Sequence, residues 1–229
     1  LYVADSENRK IRKIEIATGV VTTLVGSGER GSVDGTGAAA SFAHPRGITS
    51  DGTYLYVGED YKIRKIEIAT GVVTTLAGGG SASGADGAGT AAGFFYPSGI
   101  TTDGTHLYVA DAYNFKIRKI EIVTGVVTTL AGGGERVSVD GTGAAAKFNT
   151  PAAISTGGTY FYGADCGSSN IRKIEIATAV VTTIAGNGSK GSADGVGATA
   201  RFSCPSGITT DGFALYVTDS ENNTIRKIE

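Results

Sequence analysis

A chain of 229 residues with 41% hydrophobic residues, and with 20 Lys+Arg set against 22 Asp+Glu, has the makeup of a globular protein able to bury a real core. The formal charge of −2 gives no field for a sequence-independent grip on nucleic acid or an anionic membrane. No run approaches the ~18 consecutive apolar residues of a membrane span, so membrane insertion is not expected.

The chain opens at Leu1 inside a predicted strand and without a signal-peptide pattern, so residue 1 is expected to lie downstream of the natural start. The pentapeptide Ile-Arg-Lys-Ile-Glu begins at Ile11, Ile63, Ile117, Ile171 and Ile225, which sets a period of 52, 54, 54 and 54 residues. Residues 1–15 recur almost unchanged as 215–229. The chain is therefore read as four full repeats plus a partial fifth, all within a single domain spanning 1–229.

Each period holds four predicted strands rich in β-branched and aromatic residues, in the second copy Gly47–Ser50 (a), Tyr54–Gly58 (b), Ile63–Ile68 (c) and Val72–Ala77 (d). Asp-Gly closes the a–b hairpin at Asp51, Asp103 and Asp211, with Gly157-Gly158 in the fourth copy. A Thr-Gly turn closes c–d at Gly19, Gly71 and Gly125, with Ala179 in the place of glycine in the fourth copy.

From strand d to the next proline the connection is 21 positions long in every copy, from Leu24, Leu76, Leu130 and Ile184 to Pro45, Pro97, Pro151 and Pro205. It carries Asp-Gly-x-Gly and an Ala-rich piece, predicted to form one helical turn started by the Asp. The following phenylalanine (Phe42, Phe94/Phe95, Phe148, Phe202) is expected to wedge between neighbouring sheets. A four-stranded meander with two apolar faces cannot stand alone, and radial stacking covers both faces. The prediction is an all-β β-propeller of four-stranded antiparallel blades.

The pattern Pro-x-Gly-Ile-x-x-Asp-Gly-x-x-Leu-Tyr-Val-Ala-Asp-x-x-Asn-x-x-Ile-Arg-Lys-Ile, followed by Thr-Gly-x-Val-Thr-Thr-Leu-Ala-Gly and Asp-Gly-x-Gly, resembles NHL-repeat propellers along the whole chain. The long glycine-rich connection is similar to that of bacterial extracellular members and of large animal cell-surface proteins. The resemblance implies a propeller that usually serves as a binding platform and, in a minority of relatives, as an enzyme.

Several motifs invite a functional story. The G-x-G-x-x-G matches at Gly26 and Gly186 follow an antiparallel strand rather than closing a βαβ unit, so no dinucleotide is expected there. Asp34, Asp86, Asp140 and Asp194 supply one carboxylate per copy, which suits an Asx turn or a helical cap better than calcium. Enzymatic relatives with lyase activity hold a metal through several histidines, whereas this chain has His44 and His106, which strand order sends to opposite ends of a blade. No metal, cofactor or catalytic triad is read. The Arg-Lys pair of strand c (Arg12-Lys13 to Arg226-Lys227) recurs in every copy, with Glu two residues beyond Lys. Interblade salt bridges and stem packing are the favoured use, ahead of nucleic-acid binding.

Variation concentrates at one end of the blades. The residue before the proline runs His44, Tyr96, Thr150, Cys204, and the one after it Arg46, Ser98, Ala152, Ser206. The b–c loops beside them vary too, with a two-residue deletion at Glu59–Lys62 and with Tyr113 and Phe115 in the third copy. Asp5, Asp60, Asp111, Asp165 and Asp219 are read as one recurring rim position. Loops on a rigid scaffold collect recognition residues, so His44, Arg46, Tyr96, Tyr113, Asp60, Asp111 and Asp165 are the candidate ligand-binding set, against drift at tolerant surface positions.

Cys166 and Cys204 fall at the same end in neighbouring blades and form a candidate disulfide, with two unpaired small residues as the alternative. The terminal blades each lack a strand. That leaves a four-bladed ring, a five-bladed ring or a window on a larger propeller, the last favoured, and association that completes the open edges is a further expectation. The function expected is a non-catalytic, extracellular or cell-surface propeller, bacterial in kind, that binds a protein, peptide or glycan. A spacer array is the second reading, and a lyase- or hydrolase-like enzyme the third.

Overall fold

A computed structural model describes residues Leu1–Glu229. In chain order the first sheet holds β1 (Tyr2–Asp5), β2 (Lys10–Ile14) and β3 (Val21–Val25). The second holds β4 (Gly35–Thr36), β5 (Ile48–Ser50), β6 (Tyr54–Glu59), β7 (Lys62–Glu67) and β8 (Val72–Ala77). The third holds β9 (Gly87–Ala88), β10 (Pro97–Thr102), β11 (His106–Asp111), β12 (Lys116–Glu121) and β13 (Val126–Ala131). The fourth holds β14 (Gly141–Thr142), β15 (Pro151–Gly157), β16 (Tyr160–Asp165), β17 (Asn170–Glu175) and β18 (Val180–Ala185). The fifth holds β19 (Pro205–Thr210), β20 (Leu215–Asp219) and β21 (Thr224–Ile228). The sheets are the blades of an all-β β-propeller, with no helix long and apolar enough to cross a membrane. The residues group into two compact units, Leu1–Leu107 with Glu121–Val127 and Tyr108–Ile120 with Thr128–Glu229.

The blades number five, of three, five, five, five and three strands, rather than four complete four-stranded blades and a fragment. The sequence period begins in mid-blade, so each period straddles two sheets. The fifth strand of a full blade comes from the preceding connection: β4 lies antiparallel on the outer edge of β8, pairing Gly35 with Val73 and Thr36 with Val72. β9 on β13 and β14 on β18 repeat the arrangement, which shields an otherwise free edge.

The connection also corrects the expected role of its aspartate. The Ala-rich piece is a single 3-10 turn, Gly37–Ala39, whose N-cap is Thr36 and has no side-chain cap bond. Asp34 instead accepts hydrogen bonds from the Thr75 N–H at 3.1 Å, the Thr75 hydroxyl at 3.0 Å and Arg64 Nη2 at 2.7 Å. Burial pushes the Asp34 carboxyl up, but the Thr75 N–H and the Arg64 guanidinium outweigh it and hold it below the usual carboxylate range. Asp140 does the same with Thr183 and Arg172.

Strand c accounts for its Arg-Lys pair by alternation. Arg64 is fully buried and reaches the connection that precedes its own blade, donating to Ser41 O (3.2 Å) and Val33 O (3.0 Å) and pairing with Glu59 at 2.7 Å. Its guanidinium carbon lies 5.2 Å from the Phe42 ring centre. A register shift at Ile63/Arg64 adds one residue on β8 at this point. Lys65, on the other face, stacks over the Tyr54 ring at 3.8 Å. The glutamate beyond Lys closes the c–d turn, with Glu67 accepting from the Thr70 hydroxyl, rather than an interblade salt bridge. In that turn Gly71 sits at φ +69° and Ala179 at +57°, so the fourth blade carries a side chain where the backbone is left-handed.

Phe42 is a wedge: it is fully buried among Ile11 and Val25 of the first blade and Leu55, Val57, Ile66 and Val73 of the second. Phe148 and Phe202 occupy the same place ahead of the fourth and fifth blades.

Removing one partner from a buried, hydrogen-bonded ion pair leaves the other unsatisfied. Arg64→Met is therefore expected to cost about 3–5 kcal/mol in urea unfolding. Lys65→Met, at a half-buried cation–π contact, is expected to cost under about 1 kcal/mol. Equal costs would contradict the assignment of Arg64 as the structural member of the pair.

Candidate functional site

The b–c loops and the ends of the d–a connections lie at the same end of each blade, and in the second blade they form a cluster. His44 Nδ1 lies 2.9 and 3.1 Å from the two carboxylate oxygens of Asp60, whose side chain is almost fully buried. Facing a carboxylate, which only accepts, Nδ1 donates to Asp60. Arg30 Nη2 stands 3.8 Å from Asp60 and is largely exposed. Beside the pair, Arg46 is exposed and its guanidinium carbon lies 5.2 Å from the Tyr96 ring centre. Tyr96 in turn packs against Phe95 (5.6 Å between centres) and edge-on against Tyr61 (6.3 Å), and Tyr61 stacks with Phe95 (6.0 Å).

The backbone sets these side chains. Tyr96 is at φ +54° and its N–H donates to Asp60 O at 2.8 Å, which ties the connection before the third blade to the shortened b–c loop. Thr150 and Cys204, also before prolines, share the left-handed conformation at +66° and +52°. Conformations of that kind persist where surrounding contacts over-determine them. The arrangement offers a cation, three half-exposed aromatic rings and an imidazole–carboxylate pair. Those groups suit a ligand with a carboxylate or other acceptor next to an apolar or ring-shaped moiety.

Four of the candidate residues, His44, Asp60, Arg46 and Tyr96, thus come together. Tyr113 is 48% exposed in the single 3-10 turn Ala112–Asn114 of the third blade. Asp111 is fully buried, 2.8 Å from Arg118, and Asp165 is buried with Arg172 at 3.6 Å. The supposed recurring rim aspartate is also misaligned in one copy. On β6 and β11 the pairs Tyr56/Tyr108 and Glu59/Asp111 are equivalent, so Glu59 is the counterpart of Asp111, Asp165 and Asp219, and it is Glu59 that pairs with Arg64. Asp60 is an extra carboxylate, released by the two-residue deletion to face His44. Sequence reasoning missed Arg30, Tyr61 and Phe95. A break in the repeat marks Phe95, since its place is taken by Ala43, Asn149 and Ser203 in the other copies. His106 stands apart, beside Asp103 and Thr105 at the a–b turn.

Cys166 and Cys204 are joined by a disulfide that ties the fourth blade's b–c turn to the connection before the fifth. It closes 38 residues of chain, so the chain-entropy model assigns it about 4 kcal/mol. Protein purified without reductant is expected to resist alkylation and to lose about that much stability on reduction; two freely alkylated thiols would refute the bond.

Asp165 differs from Asp111 in its arginine, because Arg172 Nη1 turns to Ser138 Oγ (2.8 Å) and Lys147 O (3.0 Å). Burial pushes the Asp165 pKa up from 3.8 to about 6, against the opposing pull of the Asn149 N–H and Arg172. The folded chain then holds this proton more tightly than the unfolded chain. Its contribution is full below about pH 4 and is lost as pH rises through 6. The stability of the protein relative to its Asp165→Asn variant is expected to fall between pH 4 and 6, by on the order of 2–3 kcal/mol. A flat difference would disprove the raised pKa.

No family model matches the chain. Across its whole length it is 29% identical to Protein SUPPRESSOR OF QUENCHING 1, chloroplastic, of Arabidopsis thaliana, of which it covers 24%. Over 57% of its length it is 39% identical to NHL repeat-containing protein 2 of Gallus gallus, of which it covers 20%. The chain therefore spans about a quarter or less of these two relatives. Among solved structures, a protein of unknown function from Bacteroides thetaiotaomicron VPI-5482 superposes with a TM-score of 0.69 at 19% identity, covering 99% of this chain and 65% of that one, a likeness of fold alone. With its repeat, its five propeller blades and its NHL repeat-containing homologues, the chain is similar to NHL-repeat propellers.

Proposed function

We propose that the chain is a non-catalytic recognition propeller that binds a protein, peptide or glycan, with the His44–Asp60–Arg46–Tyr96 cluster as its contact surface. The observation that carries this reading is the local departure from the repeat. In the second and third copies the frame residues are kept, while a deletion, an inserted carboxylate and an added phenylalanine build one cluster of aromatic and cationic groups. Aromatic and arginine side chains held on rigid backbone are favoured anchors in interfaces. The chemistry favours ligands with an acidic group beside an apolar or ring-shaped one.

The Cys166–Cys204 disulfide supports an oxidising compartment and hence an extracellular or cell-surface site. The curated relatives, a plant chloroplast protein and vertebrate proteins, lend the expected bacterial origin no support.

Labelled protein applied to arrays of acidic and neutral peptides and of glycans tests the proposal. Arg46→Ala and Tyr96→Ala are each expected to weaken the strongest hit about tenfold or more, equivalent to about 1.4 kcal/mol, while substitutions at Asp51 in the opposite turn leave it within twofold. The reverse pattern would sink the placement.

A further inference from the structure

We propose that Asn187 is a site of N-linked glycosylation. The inference rests on the extracellular reading above, to which it adds a modification of the chain's own surface. Two Asn-x-Ser/Thr triplets occur in the sequence, Asn187-Gly188-Ser189 and Asn222-Asn223-Thr224, neither with proline in the middle. The first lies in the glycine-rich turn that follows β18, and Asn187, Gly188 and Ser189 are all exposed. The Asn187 side chain shapes the turn through its oxygen alone. Oδ1 accepts from the Ser189 N–H at 3.0 Å, which makes an Asx turn, and from Arg201 Nη1 at 3.4 Å. No hydrogen bond of the fold uses its Nδ2.

The second triplet is closed. Asn222 ends the 3-10 turn Ser220–Asn222, and its Nδ2 donates to Asp219 Oδ2 at 2.8 Å and to Gly191 O at 2.7 Å. A carboxamide nitrogen has two hydrogens, so a glycan there costs one of these bonds. Asn8 and Asn114 use the same nitrogen on Asp5 and Asp111, which marks the asparagine of this turn as a frame residue. Asn187 has no such part. Its counterparts in the other connections are Ser27, Gly79 and Gly133, yet the glycine that follows is left-handed in every copy, at φ +92° for Gly28, +84° for Gly80, +82° for Gly134 and +86° for Gly188. The turn therefore keeps its shape with or without a side chain before that glycine. The donor class is an oligosaccharide carried on a polyprenyl diphosphate. In the transfer Asn187 Nδ2 bonds to the anomeric carbon of the first sugar, and the bond from that carbon to the diphosphate oxygen breaks. The diphosphate leaves with the electron pair, and Nδ2 gives one proton to a base of the transferase and keeps the other.

The full chain, secreted from yeast behind a cleavable leader, tests the site. The folded product is expected to carry one oligomannose chain sensitive to endoglycosidase H, which leaves a single N-acetylglucosamine that peptide sequencing finds on Asn187. Asn187→Gln and Ser189→Ala should each abolish the addition. Thr224→Ala, which destroys the second triplet and leaves the Asn222 bonds in place, should not change it. Circular dichroism checks that the variants fold. The proposal is overturned by folded, secreted protein without the glycan, by a glycan that survives Asn187→Gln, or by one found on Asn222. Secretion from yeast supplies the transferase whatever the native compartment, so a failure here leaves the extracellular reading standing, and alkylation of Cys166 and Cys204 tests that reading separately.

Discussion

The contact on which the architecture rests is the buried arginine of strand c. Arg64 and Arg172 have no exposed side-chain surface, yet each is bonded to the connection aspartate and to connection carbonyls, with a carboxylate of its own blade's b–c corner close by, Glu59 at 2.7 Å and Asp165 at 3.6 Å. A guanidinium buried without such partners would be prohibitive, and the planar fork supplies donors to several acceptors at once. This explains the invariant 21-residue connection. Between strand d and the next proline the chain must place a two-residue strand on a neighbouring edge, an aspartate on the arginine and threonine, and a phenylalanine in the wedge pocket. Three fixed points on one short segment leave no room for an insertion.

The same constraint explains how the second blade acquires a distinctive surface without losing its core. The deletion between Glu59 and Lys62 shortens the corner that carries a 3-10 turn in the third, fourth and fifth blades. The longer glutamate then takes the aspartate's part: Glu59 reaches Arg64, and also accepts from the Ser32 hydroxyl at 2.6 Å and the Ala43 N–H at 2.8 Å. With the arginine satisfied, Asp60 is released to hold His44, and its carbonyl fixes Tyr96. The core requirement is met by one residue and the surface is built by the next.

Much of this was legible in the sequence. Periodicity in Ile-Arg-Lys-Ile-Glu and the turn glycines gave the strands, and the constant connection gave the wedge phenylalanine. What escaped was whatever depends on a partner distant in sequence. Asp34 reads locally as a cap or turn residue, and only the pairing of β4 with β8, some forty residues on, brings Thr75 to its carboxylate. Asp60 looks like the repeat's aspartate because the deletion lies beside it, and strand pairing on β6 is needed to show that Glu59 holds the place. The aromatic cluster was half visible: Tyr96 stood out before its proline, but Tyr61 and Phe95 belong to different segments, which the hydrogen bond from the Tyr96 N–H to the Asp60 carbonyl helps to bring together.

Because each strand-c arginine is tied to the connection before its blade, support runs one way along the array. Arg12 on β2 is bonded to Asp5 at 3.2 Å with its side chain 29% exposed, against 0% for Arg64 and Arg172, which both reach a connection. On β3, Val21 is 48% exposed where Val73 and Val181 are buried. In a stacked array whose stability is a sum of blade and neighbour terms, the second and fourth blades hold both sets of contacts. The cluster on the second blade therefore stands on one of the better-supported frames, and rigidity there lowers the ordering cost of any contact it makes.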